Sequence, residues 1–220
     1  MAATRPSGNI AKVAASATNP RMDPYLQSGL SAFALGYLLG AIPFGWLLTR
    51  LTGGGDIREL GSGGIGATNV LRTGSKGLAA ATLVLDALKG AVAVWLAARL
   101  GPEAARFAAA GAIIGHLYPV WLRFRGGKGV ATLTGVLIAL WWPAALIFAV
   151  VWIAVFLLFR ISSVGGMAAA ASAPIAAAAL GRGELVPLFA GFALLVIWKH
   201  KENLARLRAG TEPRVGRTVR

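Results

Sequence analysis

The sequence predicts an all-α polytopic integral membrane protein with seven transmembrane helices, the N-terminus outside and the C-terminus cytoplasmic. Three observations carry that expectation. Of 220 residues, 56% are hydrophobic and only 14% charged, with a mean hydropathy of +0.67, an apolar excess beyond what a soluble core of this size needs. The apolar residues come in runs near the length of a bilayer span, about 20 residues. The 22 Lys and Arg residues, which give a net charge of +14, cluster between those runs, a pattern of membrane topology and not of nucleic-acid binding.

Residues 1–25, small, polar and punctuated by prolines, read as a disordered N-terminal extension with no apolar core long enough for a signal peptide. The single domain then covers 26–220. Its first span is 26–50, where Gly36, Gly40 and Gly45 offer a smooth packing face. The second (78–99) and third (104–122) are joined by the turn Leu100-Gly101-Pro102-Glu103. Residues 130–159 would make one helix about 45 Å long, too long for about 30 Å of hydrocarbon. Pro143, after Trp141 and Trp142, divides them into spans 130–142 and 143–159. Spans 164–181 and 185–198 complete the seven.

Parity puts 51–77, 123–129, 160–163 and 199–220 on one face. With Lys89 assigned to the nearer side, that face holds 16 of the 22 basic residues, which makes it cytoplasmic. Asp86 and Lys89 stand inside the second span. Intramembrane charges are expensive, and their i, i+3 spacing predicts a structural ion pair.

The chemistry collects on the cytoplasmic face, in segments 51–77, 115–132, 160–163 and 199–215. GSGGIGATNVLRTG (61–74) contains G-x-G-x-x-G, but no strand precedes it and a span follows, so a dinucleotide fold is excluded. What remains is a glycine-rich loop whose amides can converge on an anion, with Ser62, Gly63, Thr68, Asn69 and Arg72 beside them. GHLYPVWLRFRGGKGVAT (115–132) places Gly126, Gly127, Lys128 and Gly129 just before a helix, a second candidate anion cradle. It is not a nucleotide P-loop, because Gly129 stands where Ser or Thr is required. In KHKENLARLRAGTE (199–212), His200, Asn203, Leu204 and Leu207 share a helical face, and Glu212 is expected to form a structural ion pair. The absence of Cys and the presence of only two histidines leave a metal site poorly supplied with ligands; none is expected, and no cofactor.

These three segments, in order and on one face, together with GYLLGAIPFGWLL, LDALKGA and RISSVG around Ser163, resemble the signature of the bacterial acyl-phosphate:glycerol-3-phosphate acyltransferases, the PlsY family, over about residues 30–215. The resemblance implies a multi-pass enzyme of the bacterial inner membrane with its active site facing the cytoplasm. Its substrates would be acyl phosphate and glycerol 3-phosphate, and its products 1-acylglycerol 3-phosphate and phosphate, the first acylation of phospholipid synthesis. It implies that Ser62 and Arg72 are important, that Gly126, Gly127, Lys128 and Gly129 bind glycerol 3-phosphate, that His200 and Asn203 act in the site, and that Glu212 is structural. Gly64 departs from the family pattern, which often has Asn there.

The residues fit that chemistry. Two phosphate-bearing substrates need two anion cradles, which the two glycine-rich segments offer. Acyl phosphate is already activated, so positioning and charge stabilisation can supply most of the acceleration. Lys128 and Arg72 are expected to hold the phosphates, and Ser62 and Asn69 to donate to the bound anion. Either His200 or a phosphate oxygen of the substrate takes the hydroxyl proton, His200 in the second case being an orienting donor. Ser162 or Ser163 as an acylated nucleophile is weaker, for want of a local His and carboxylate. A transporter of a phosphorylated solute is the main alternative, but it would favour cations near the midplane and related halves. Neither occurs, and no nucleic acid or obligate protein partner is implied.

Overall fold

The computed structural model describes residues 23–61 and 63–215. Among them are nine α-helices and no strand. Residues 1–22, most of the expected extension, lie outside the described residues; Asp23 already caps the first helix, its Oδ1 accepting the Tyr25 amide at 2.8 Å.

The first expected span is broken. Helix α1 runs Pro24–Gly40 and α2 Phe44–Leu51, with the chain non-helical between them. Pro43 has no amide to donate and pushes Ile42 away from the helical region. The break frees two carbonyls, and side chains from other segments take them: Trp121 Nε1 donates to Ala41 O (2.6 Å) and Lys89 Nζ to Ile42 O (2.7 Å).

A 3-10 turn at Ile57–Glu59 and the short helix α3 (Ala67–Leu71) lead to α4 (Lys76–Ala98) and α5 (Pro102–Leu117). Helix α5 stops five residues short of the expected 122, because Pro119 cannot continue it. In α6 (Val130–Phe159), Trp141 is extended (φ −165°, ψ 95°); Pro143 cannot donate to the carbonyl of Ala139, so the expected division falls at Trp141. Helix α7 spans Ser162–Ala179, α8 Val186–Lys199, and α9 (Lys201–Arg208) follows at a bend of 57°.

Four stretches are long and apolar enough to cross a membrane: Tyr25–Leu51, Lys76–Ala98, Val130–Phe159 and Ser162–Ala179. Gly183–Lys199 and α9 make a fifth only if the two, bent by 57°, are counted as one span. Helices α5 and α8 have 16 and 14 residues, about 24 and 21 Å at 1.5 Å per residue, too short to meet the same criterion. Apolar helical segments nonetheless occur at each of the seven expected places, once α6 is divided.

Small residues set the packing. Gly36 and Gly40 lie against the backbone of Ala108 and Ala112, and Gly111 and Gly115 on α5 lie against that of Phe33 and Tyr37. Facing rows of this kind let two helices meet backbone to backbone, the usual solution where lipid removes the hydrophobic drive for association. Gly45, grouped with Gly36 and Gly40 by the sequence, turns elsewhere because of the break and seats the carbonyl of Ile65. Leu146, Val150, Ile153 and Leu157 are exposed in a stripe at helical spacing, which suits a face turned to lipid.

Candidate active site

Asn69 organises the glycine-rich loop. It is buried, and its Nδ2 donates to the carbonyls of Ile57 (2.9 Å), Leu60 (3.0 Å) and Gly64 (2.8 Å), while Oδ1 accepts Arg72 Nη1 at 3.3 Å. The expected role as an anion donor is corrected: the amide hydrogens already serve three backbone acceptors, and Asn69 shapes the loop and holds Arg72. Gly61 and Gly63 have φ of 54° and 66°, a left-handed backbone that glycine adopts without penalty. Thr68 Oγ1 lies 3.1 Å from Ser162 Oγ. Ser62 lies outside the described residues.

The second loop also differs from its expected use. The Gly126 and Gly127 amides donate to Leu117 O (3.3 Å) and His116 O (3.1 Å), the terminal carbonyls of α5, so they are not directed at an anion. A side chain at Gly127 would run into the His116 ring. These glycines permit close approach of loop and helix end. Gly129, at φ 87°, starts α6 without a side-chain cap, leaving first-turn amides beside the pocket.

Lys128 points into a chain of polar contacts. Its Nζ donates to Asn203 Oδ1 (2.6 Å), and Asn203 Nδ2 donates to Glu212 Oε1 (2.5 Å). Glu212 also accepts Ser163 Oγ (2.6 Å) and pairs with Arg206 Nε through Oε2 (2.7 Å). Burial pushes the Glu212 carboxyl up, but the bonds from Ser163, Asn203 and Arg206 outweigh it and hold its pKa below the usual value. Burial lowers the Lys128 ammonium to about 8.

His200 sits at the bend between α8 and α9, not on one continuous helix with Asn203, yet both are buried and face the same pocket. Its Nδ1 lies 2.7 Å from Val196 O and therefore carries the proton, leaving the Nε2 lone pair as acceptor. Burial lowers its pKa to about 4. In that neutral form His200 offers an acceptor at Nε2 towards the pocket.

A cavity of about 440 Å³ gathers Thr68, Asn69, Arg72, Asp86, Gly127, Lys128, Gly129, Ser163, His200, Asn203 and Glu212. Leu83, Val130, Ala131 and Trp152 give it an apolar wall. Gly63 and Gly126 border an adjoining groove of about 990 Å³, which shares Gly64, Gly127 and Lys128 with the first. The Asp86–Lys89 pair is formed at 2.6 Å. Sequence reasoning missed His116, whose only signal was its place in GHLYP, and the strap Pro213–Val215, which lines the cavity and is tied by Val215 N–H to Arg160 O (2.9 Å). Among the described residues no three His, Asp or Glu side chains are grouped to hold a metal; the cavity's cations and amides are a donor set for anions.

An apolar helical bundle around a cavity that Lys128 and Arg72 line beside an apolar wall is the arrangement of an integral membrane protein with a site suited to anionic ligands. The family profile of glycerol-3-phosphate acyltransferases matches residues 30–210, and the chain belongs to that family. It is 58% identical over 185 residues to the glycerol-3-phosphate acyltransferase of Mesorhizobium japonicum, covering 84% of this chain and 95% of the relative. With that of Brucella anthropi it shares 57% over 187 residues, 85% and 93% of the two chains. The crystal structure of PlsY (YgiH), an integral membrane glycerol 3-phosphate acyltransferase, in its glycerol 3-phosphate form is similar with a TM-score of 0.81 at 36% identity, over 86% of this chain and 96% of that one. Its lysophosphatidic acid form gives 0.79 at 35%, with the same coverage. The chain is a multi-pass membrane acyltransferase of glycerol 3-phosphate, catalysing the first acylation of phospholipid synthesis.

Proposed function

We propose that the cavity transfers a fatty acyl group from acyl phosphate to the 1-hydroxyl of glycerol 3-phosphate, giving 1-acylglycerol 3-phosphate and inorganic phosphate. The observation that carries this reading is the Lys128–Asn203–Glu212 chain converging with Arg72 and His200 on a cavity with an apolar wall. Lys128 and Arg72 hold the phosphates. Asn203 and Glu212 fix the Lys128 ammonium, and Ser163 and Arg206 fix Glu212. Ser62, in the same glycine-rich segment as Arg72, is assigned by its place in that motif to donate to the bound anion, and the wall at Leu83, Val130 and Trp152 takes the start of the acyl chain.

The hydroxyl oxygen attacks the acyl carbonyl carbon, the bond from that carbon to the phosphate oxygen breaks, and the hydroxyl proton passes to a phosphate oxygen of the substrate. His200, with a pKa near 4, is too weak a base to take that proton efficiently near neutrality. Its Nε2 instead accepts from the neighbouring 2-hydroxyl of glycerol 3-phosphate, which turns the 1-hydroxyl towards the acyl carbonyl. The phosphate leaves as a stabilised anion, so no acyl-enzyme is needed.

All seven apolar segments cross the bilayer in this reading, α1 and α2 as one broken span and α6 as two. The N-terminus is outside, the C-terminus and cavity face the cytoplasm, and the membrane is the bacterial inner membrane. The test is phosphate release from acyl phosphate by the purified protein, with and without glycerol 3-phosphate, beside an acyl-CoA control and Lys128→Ala. Release should require glycerol 3-phosphate, yield the lysophosphatidate and fall at least about 100-fold in the variant, the size expected for losing a charged transition-state contact. Acyl transfer from acyl-CoA but not from acyl phosphate would refute the donor assignment.

A further inference from the structure

Asp86, Lys89 and His116 are 1%, 4% and 2% exposed, and the mechanism above uses none of them. A pair confined to one helix would satisfy only itself. Here both members reach other helices. Lys89 Nζ bonds Asp86 Oδ1 (2.6 Å) and also donates to Ile42 O, at the break between α1 and α2 (2.7 Å). Asp86 Oδ1 faces His116 Nδ1 at 3.7 Å, and that nitrogen has no hydrogen-bond partner among the described residues.

His116 in turn lies under the second glycine loop. Its carbonyl accepts the Gly127 amide (3.1 Å), and its ring fills the space that a Gly127 side chain would need. The same loop is tied to the same break from its other end, through Trp121 Nε1 to Ala41 O (2.6 Å). Charges inside a membrane helix are costly to keep and default to function; these stand where α4 and α5 meet both the break after α1 and the loop that carries Lys128.

We propose that Asp86, Lys89 and His116 are positioning residues: a buried brace, anchored on the break in α1–α2, that fixes the Gly126–Gly129 loop and so the register of Lys128 for glycerol 3-phosphate. The last step rests on the assignment of Lys128 as a phosphate holder. The brace itself rests only on the contacts between α1, α4, α5 and the loop.

The test uses the full chain in lipid, with KM and kcat for both substrates and hydrogen exchange of the 120–131 segment. His116→Leu removes the polar ring at similar bulk. It should raise the KM for glycerol 3-phosphate about tenfold, because a small misplacement of a binding group weakens its hold on substrate, with kcat and the acyl phosphate KM within about twofold and faster exchange in 120–131. If Asp86→Asn fails to fold because Lys89 is left unpaired, Asp86→Asn/Lys89→Met removes both charges and should reproduce the His116→Leu pattern. Unchanged loop exchange and unchanged glycerol 3-phosphate KM in His116→Leu, or a general loss of stability with both KM values raised alike, would overturn the brace. Lys128→Ala separates the two claims: if it leaves the glycerol 3-phosphate KM unaltered, the phosphate-holder assignment fails, while exchange in 120–131 still decides the brace.

Discussion

Lys128 is held by Asn203 and drawn into the cavity wall, and burial lowers its pKa to about 8. Binding a phosphate requires the ammonium, which is the form lost as pH rises. In the free enzyme, kcat/KM for glycerol 3-phosphate should therefore decline above about pH 8, with a limiting slope of one decade per pH unit. Lys128→Arg, whose guanidinium stays charged, should keep some activity and lose that limb. A pH profile of both proteins checks this; a decline that persists unchanged in the arginine variant assigns it to another group. His200, neutral above about pH 4, contributes no inflection near the ordinary imidazole range.

The helices meet through glycine where a side chain has no room. A Cβ on Gly36 would collide with the Ala108 backbone, whereas one on Gly77, in the first turn of α4, would meet nothing within 4 Å. Gly36→Leu should destabilise the bundle by about 1–3 kcal/mol or more, the usual cost of overpacking. Gly77→Ala should be neutral or stabilise by up to about 1 kcal/mol, since alanine restricts the unfolded chain and favours helix. Thermal unfolding of both in the same detergent makes the comparison, and equal melting temperatures would contradict the close α1–α5 packing. The break at Ala41–Pro43 follows the same economy, because its carbonyls are not left bare in lipid but are taken by Trp121 and Lys89.

At the scale of the molecule, the charge asymmetry and the proposed seven crossings make a topological prediction that the lack of cysteine renders easy to read. In otherwise cysteine-free protein, Thr73→Cys and Arg208→Cys should react with a membrane-impermeant thiol reagent only from the cytoplasmic side. Arg99→Cys and Arg182→Cys should react only from the other. Labelling of position 99 and position 73 from one side would rule out the proposed crossing by α4. The short α5 and α8 can be accommodated by local thinning of the bilayer and by flanking side chains that reach the interface. Lys199, at the end of α8, shows such a reach: its Nζ donates to the terminal carbonyl of α5 at Leu117 (3.2 Å).

The amino-acid sequence by itself determined the helical bundle, the position of each apolar segment to within a few residues, the division of 130–159 and the motif segments that come together at the cavity. Those are consequences of local composition, proline placement and charge distribution, all of which act over one or two turns. The tertiary structure alone decided what individual polar groups do. Asn69 reads as a ligand in the motif, yet its amide is consumed by the carbonyls of Ile57, Leu60 and Gly64; Gly126 and Gly127 read as a cradle, yet their amides close the end of α5. His116 shows in the sequence only through its place in GHLYP, because Asp86, which its ring faces at 3.7 Å, is distant in sequence and close only after folding. A backbone amide or a side-chain nitrogen has the same identity wherever it stands; its job is set by which acceptor the fold brings within about 3 Å, and that distance is not written in any one stretch of chain.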